Sequence, residues 1–374
     1  MQSLSAPPRD LLTGAQVSAL LEAPDLEVSA GCELLTASLA FVSDISDDLE
    51  GGTVSRNNNA TIHGTCTMRL ARSLVWGVDL VRPYMTLTST ETVARWNLGV
   101  YCMITPDLRV GESPATYEVQ GYDRLMLLQR QVGADYSVAA GVTYRAALLA
   151  VFTAAGLTGV AIDGAAADDT LPELESWPLV PDRVADPDQT TTPVTYLRIA
   201  NDLLRAINFR SVWCDENGTF RCSAYRDPKT RAVEWDFHTG TSTILGEDRK
   251  VTADVWATPN RWVVRATNFG TGVEGDGVYT IVNQSDGSTS VDARGLTWTS
   301  VVDYEAASQA KLVELATRRV ATDRQITTRY EVTTGPFPGA GHADIATLDG
   351  VKVQAVTWSM PLDGGDVSWQ FEAV

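Results

Sequence analysis

The residue patterns best suited to chemistry are a glycine fingerprint, three histidines, a Ser-x-x-Lys pair and several carboxylate pairs. Gly270-Thr-Gly272-Val-Glu-Gly275 matches the dinucleotide fingerprint letter for letter. That fingerprint holds a pyrophosphate only where a helix N-terminus follows. Asp276-Gly277 and an alternating apolar run, 278–282, follow instead, which predicts a hairpin loop. His63, His238 and His342 are far apart, and none sits in His-Glu-x-x-His or beside a Gly-x-Ser-x-Gly elbow. Whether they meet in space stays open.

Ser308-Gln-Ala-Lys311 has nucleophile–base spacing but reads more simply as the wet side of a helix. His63 and Cys66, three apart in a strand, fall on opposite faces, which makes shared metal ligation awkward. Asp47-Asp48, Asp168-Asp169 and Glu173 with Glu175 have the types needed by glycosidases or calcium sites. Lacking an EF-hand register or a glycine-bounded repeat, they read as solvated surface. Asn59-Ala-Thr61, Asn217-Gly-Thr219 and Asn283-Gln-Ser285 fit glycosylation sequons and read as turn residues, given an N-terminus without a secretion signal. The five cysteines, Cys32, Cys66, Cys102, Cys214 and Cys222, include no Cys-x-x-Cys, which suits reduced, buried thiols. No catalytic, cofactor-binding or metal-ligating residue is assigned; the expectation is no enzyme and no cofactor.

The elements around these residues read as β, then α/β, then β. Residues 53–55, 60–70 and 96–104 alternate at period two, which predicts antiparallel strands half exposed to water. Ile62, Gly64, Cys66 and Met68 share one face; Thr61, His63, Thr65 and Thr67 share the other. Thr143 caps a helix burying Leu148, Leu149, Phe152 and Ala155, stopped by Gly156. A second helix starts at Thr192-Pro193 and buries Tyr196, Ala200, Leu203, Leu204 and Ile207. Between them, 163–192 reads as a long acidic excursion pinned by Trp177. Asp215-Glu216-Asn217-Gly218 predicts a hairpin, because Asn-Gly tolerates positive φ. Strands resume near 245 (251–256, 261–267, 278–282, 351–358, 367–371), interrupted by a helix over 304–323 with Ala306, Ala310, Val313, Ala316 and Val320 on one face and a Glu314–Arg318 pair.

Composition limits the partners. Asp+Glu 47 against Lys+Arg 29 leaves a formal charge of -18 over 374 residues. Residues 1–130, 131–230 and 231–374 carry excesses of 6, 5 and 7 acids, so no acidic tail explains it. Phosphate contacts need concentrated positive charge, which argues against a dedicated nucleic-acid binder or an anionic-membrane binder. No run approaches the roughly 18 apolar residues of a membrane span. The ten tryptophans fall mostly in strands, where core and subunit interface outrank a sugar-binding platform.

The order of segments is more specific than any motif. Ile45–Val54 and Thr61–Leu70 are followed by Val119–Leu128, Gly141–Leu149, Tyr196–Leu204, the hairpin Trp213–Arg221 and Tyr225-Arg-Asp-Pro228. This series resembles the tail hub or baseplate hub proteins, minor tail proteins of tailed bacteriophages and related contractile injection systems, over nearly the whole chain. The resemblance implies an α+β, mainly β fold with two tube-type β-barrels, 1–134 and 245–374, the second with the inserted helix 304–323. An α/β lateral domain, 135–244, lies between them, with 210–245 assignable to either neighbour. It further implies a homotrimer whose six barrels ring a lumen. Its partners would be a distal tail or tail tube protein, a tail tip or spike protein and the tape-measure protein, with DNA only in transit and no membrane binding of its own. Such a protein is made in the host cytoplasm and ends in the distal tail of the virion. A lumen wall should repel phosphate, so an unusual share of the carboxylates is expected to face it. The rival reading is a carbohydrate-binding tail-tip protein using exposed tryptophans.

Overall fold

The computed structural model describes residues 12–109, 116–179, 194–240, 244–253, 256, 258–325 and 328–374. Helix α1 (Gly14–Leu21) comes first, with Thr13 and Gln16 exchanging side-chain and backbone hydrogen bonds as a capping box. Eight strands follow: β1 (Glu27–Leu35), β2 (Phe41–Asp44), β3 (Leu49–Asn57), β4 (Gly64–Leu70), β5 (Leu80–Thr88), β6 (Val93–Asn97), β7 (Tyr101–Arg109) and β8 (Thr116–Asp123). A mixed segment holds α2 (Leu125–Leu128), β9 (Tyr136–Val138), α3 (Tyr144–Ala154), β10 (Val160–Asp163), β11 (Glu175–Trp177), α4 (Tyr196–Ala206), β12 (Trp213–Cys214) and β13 (Phe220–Ser223). Next come β14 (Trp235–Phe237) and β15 (Leu245–Ala253), then β16 (Arg261–Ala266), β17 (Val273–Glu274), β18 (Gly277–Val282), α5 (Val291–Arg294), β19 (Thr299–Tyr304) and α6 (Gln309–Gln325). The chain closes with β20 (Thr328–Thr334), β21 (Ile345–Leu348), β22 (Val351–Pro361) and β23 (Val367–Ala373).

Strands from both ends of the chain form one sheet, in the order β15-β20-β23-β22-β3-β4-β8-β7-β5-β1-β2, with β6, β14 and β21 branching from it. The seam is β22 against β3, antiparallel from Thr357↔Asn57 to Pro361↔Thr53. Alternation sets the two faces: along β4, Gly64, Cys66, Met68 and Leu70 are buried while Thr65, Thr67 and Arg69 are not. The buried face is a single core in which Val54, Met68, Met85 and Trp96 join Val353, Trp358, Trp369 and Phe371.

A second core gathers Leu125 to Cys222 around α3 and α4, beside the sheet β10-β13-β12. The segment 210–245 divides: β12 and β13 belong to this unit, whereas β14 pairs with β21 and Phe237 sits in the main core. A third core lies between α6 and the sheet β17-β18-β16-β19, inserted between β15 and β20.

The expected class, α+β and mainly β, is the class observed. Closed barrels are not: among the described residues the sheets are open, and the two expected barrels share one sheet across the β22–β3 seam. The expected strand 96–104 is two, broken after Asn97 where Leu98 turns to donate to the Pro83 carbonyl. In α3 the buried stripe is Tyr144, Ala147, Leu148, Val151 and Phe152, leaving Leu149 exposed. Helix α4 is capped by Thr195; Thr192 and Pro193, the expected start, lie outside the described residues with the rest of 180–193. The expected helix 304–323 starts late, because 299–304 alternates and pairs in parallel with β16, so Tyr304 ends a strand. Ser308 then accepts from the Lys311 N–H at the head of α6. Arg318 does not take Glu314: it donates to the Phe209 carbonyl, and Glu314 binds Lys311.

Candidate assembly surfaces and the buried junction

Among the described residues the path of the main sheet ends on β15 and β2, each with one neighbour, and the side branches β6 and β14 likewise have one neighbour each. A strand with an unpaired edge is a template for another chain, and monomers usually blunt it with charge or short length. β2 is short but exposes Phe41 and Val42, 59% and 52% accessible. Phe41 lies opposite Leu35, which faces Leu80, so exposed Val75 and Val78 in the preceding turn gather at the same end. β15 exposes Val251 amid Glu247, Asp248, Arg249 and Lys250, of which Arg249 pairs with Asp349 at 2.5 Å and Lys250 with Glu331 at 3.1 Å.

The central rows of the sheet's wet face share one chemistry. One row across six strands reads Thr333, Ser368, Ser359, Ser55, Thr65 and Tyr122, with Ser55 and Ser359 hydroxyls 2.8 Å apart over the seam. The next row is Glu331, Gln370, Thr357 and Asn57. These two rows carry hydroxyls and amides, with Glu331 their one acid, and a further row of the same face, Arg69, Glu118 and Asp107, is charged.

The mixed unit is plugged into the sheet by its β12–β13 hairpin. Asp215 builds the turn, accepting from Asn217 N at 3.0 Å, Thr219 N at 2.8 Å and Arg221 Nε at 2.8 Å. Gly218 adopts φ +81°, and a Cβ there would come within 2.9 Å of Val100. The tip is gripped from the sheet: Arg124 donates to the Gly218 carbonyl (2.5 Å) and lies over Phe220, Arg56 donates to the Cys214 carbonyl (2.8 Å), and Asn97 Nδ2 to Asn217 Oδ1 (2.7 Å). Nearby, burial pushes the Asp123 carboxyl up to about 6, against the opposing pull of Arg56 and the N–H groups of Gly64 and Leu125.

Beside this plug the structure brings together what sequence left open. His63 and His342 stack at 5.1 Å between ring centres, and Trp213 stacks on the other side of His342 at 4.6 Å. Burial, with the Arg56 charge, holds His63 down at about 4 and His342 well below its usual range, so both rings are neutral near pH 7. Sequence pattern missed this stack: it expected His63 within a strand over 60–70, whereas β4 begins at Gly64 and His63 is buried just before it.

Other candidates disperse. Gly270 and Gly272 precede β17 and Gly275 follows it in a tight turn into β18; the two strands pair in parallel, not as the expected hairpin, and β18 rather than a helix comes next. Asp168 binds Arg145 at 2.6 Å and Asp48 approaches Arg72 at 3.5 Å, both at the surface. Glu175 is pushed up by burial and by Glu305, Glu173 and Asp202, while Asp202 accepts from Trp177 Nε1 at 3.0 Å, the expected pin. The five cysteines are buried free thiols. Among the described residues no three His, Cys, Asp or Glu side chains are placed to hold a metal, and no helix is long and apolar enough to cross a membrane. Five tryptophans are buried, but Trp256 (63% accessible) and Trp298 (39%) are exposed and meet edge to face at 5.3 Å.

By sequence, the chain matches no family model and none of the curated proteins. By structure it is similar to a tail protein from Neisseria meningitidis MC58, with TM-score 0.63, 10% identity and coverage of 92% of this chain and 96% of that one. It is similar to the 43 kDa tail protein of prophage MuSo2 from Shewanella oneidensis, with TM-score 0.59, 10% identity and coverage of 92% and 98%. A chain of the Francisella PdpA-VgrG complex gives TM-score 0.55 at 7% identity, covering 97% of this chain and 61% of that one. The fold is therefore that of phage tail proteins, as the order of segments implies.

Proposed function

We propose that the chain is a structural tail hub: a homotrimeric ring that continues the tail tube, joins it to a tip or spike protein and forms the conduit for genome ejection. The observation that carries this is the open main sheet, whose two ends are free edge strands bearing exposed apolar side chains, β2 with Phe41 and Val42 and β15 with Val251. Unlike edges that meet head to tail generate a ring when the rotation closes. The two halves of the sheet, joined at the seam, supply two similar wall segments per subunit, which suits three subunits matched to a sixfold tube. The hydroxyl and amide rows support the wet face as the lumen wall, because such groups neither hold phosphate as lysines would nor add a charge barrier. In this reading the protein works in the distal tail of the virion through protein interfaces, without catalysis, alongside a tube protein and the tape-measure protein.

Mass measurement in solution, with low-resolution imaging of the particle, tests it. A ring of three chains is the expected result; a monomer at all concentrations overturns it. The exposed Trp256–Trp298 pair favours a second reading, a carbohydrate-binding tail-tip protein, which predicts a monomer retained on host cell-wall material and released by Trp298→Ala.

A further inference from the structure

A cavity of about 370 Å³ lies where the 58–63 loop, the mixed unit, α6 and the C-terminal strands meet. Its charged lining is Arg210, Arg318 and Glu372. Glu372 is engaged by Arg329, 3.3 Å away. Arg318 donates to the Phe209 carbonyl and lies over the Tyr225 ring at 4.6 Å. Arg210 reaches the same ring at 5.9 Å; among the described residues its guanidinium makes no ion pair, and Glu234, which attracts it, is paired with Arg231 instead.

The neighbouring guanidiniums make the contrast. Arg231 donates to the Ala343 carbonyl and Glu234, and Arg56 to the Cys214 carbonyl. Arg210 alone in this group is left without an acceptor among the described residues, and burial, with Arg231 and Arg318 beside it, lowers its pKa to about 10. Tyr225 and Glu234 pull the other way, but a half-buried guanidinium with two like charges beside it and no ion pair is costly. Four buried polar atoms that also lack a partner, Asn58 Oδ1, His63 Nδ1, Tyr225 Oη and His342 Nδ1, belong to residues lining this cavity.

We infer that the cavity binds a phosphate-class oxyanion between Arg210 and Arg318. The planar fork of a guanidinium pairs two N–H donors with two oxygens of such an anion. An anion so placed would be held by side chains of the mixed unit and of α6 at once, tying the inserted unit to the plug. The shared chemistry is a phosphoryl group, either free phosphate or the phosphate of a nucleotide.

The test is thermal unfolding and titration calorimetry of the full chain with inorganic phosphate, with adenosine monophosphate and with chloride at matched ionic strength. A saturable rise in Tm with inorganic phosphate identifies the free anion as ligand. A rise with the nucleotide alone assigns the site to a phosphoryl group on a larger molecule. Equal curves in all three salts overturn the proposal. Arg210→Met should weaken phosphate binding at least tenfold while leaving Tm in phosphate-free buffer unchanged or raised, since it removes a half-buried charge with no ion pair. Arg210→Lys, which keeps the charge but loses the fork, should bind at intermediate strength and covers the case in which the methionine variant fails to fold. A phosphate response undiminished in both variants also overturns the proposal.

Discussion

His63 and His342 come from opposite ends of the chain and share one stack, and their burial has a consequence for acid stability. The His63 pKa falls from an ordinary value near 6.5 to about 4, so the unfolded chain binds the proton more readily than the folded one. Stability from this group is complete above pH 6.5 and is lost as pH falls towards 4, worth about 3 kcal/mol at roughly 1.4 kcal/mol per unit. Asp123, raised to about 6, acts in the opposite sense: protonation below pH 6 favours the folded state and offsets much of that loss. His342 is shifted in the same direction as His63, so the histidine pair destabilises the fold in acid, while Asp344, raised to about 6 by burial, acts with Asp123 against it. The groups facing the pair are Arg56, Arg210 and Arg231, whose charges add to the cost of a second cation. His63→Gln should flatten the stability profile between pH 6.5 and 4, read by urea denaturation at each pH. A variant profile parallel to that of the unaltered protein would contradict this assignment.

At the scale of elements, what was legible in the sequence was local chemistry. The β12–β13 turn was readable because Asn217-Gly218 states its own backbone requirement, and α3 because Thr143 and Gly156 bound it; Thr143 accepts from the Ala146 N–H and Gly156 takes φ +70°. The start of α6 was not, because Tyr304 and Ala306 continue the apolar spacing of the helix, and only the pairing of 299–304 with β16 shows that Tyr304 ends a strand. The site was less legible than the fold: nothing near Arg210 or His342 shows that α6 will bring Arg318 beside them. Gly218 ties the turn to the grip on its tip. Gly218→Ala strains a left-handed residue and drives a methyl into Val100, so about 2 kcal/mol of stability should be lost. Because the hairpin is the plug, protease should then cut within 210–225 faster than in the unaltered chain; equal rates would mean the hairpin is not what anchors the unit.

For the whole molecule, the order of segments carried the architecture, while the merging of two expected barrels into one sheet was invisible, because the β22–β3 pairing joins strands about three hundred positions apart. The ring proposal is a statement at this scale. Phe41→Lys with Val42→Lys places charge on the free edge of β2, where the native side chains are exposed and their replacement leaves the core untouched. The doubly substituted chain should sediment as a 40.4 kDa monomer with an unchanged circular dichroism spectrum. Persistence of the trimer would remove β2 from the interface.

The seam also bears on how the chain is made. β3 acquires its second neighbour from residues 357–361, so a ribosome must add about three hundred residues after β3 before the central sheet can be completed. Pairings of such long sequence separation form slowly, and until they form the unsatisfied edge of β3 is open to misassembly. In the proposed ring, a chain that lacks β22 cannot present a finished wall segment to its neighbours.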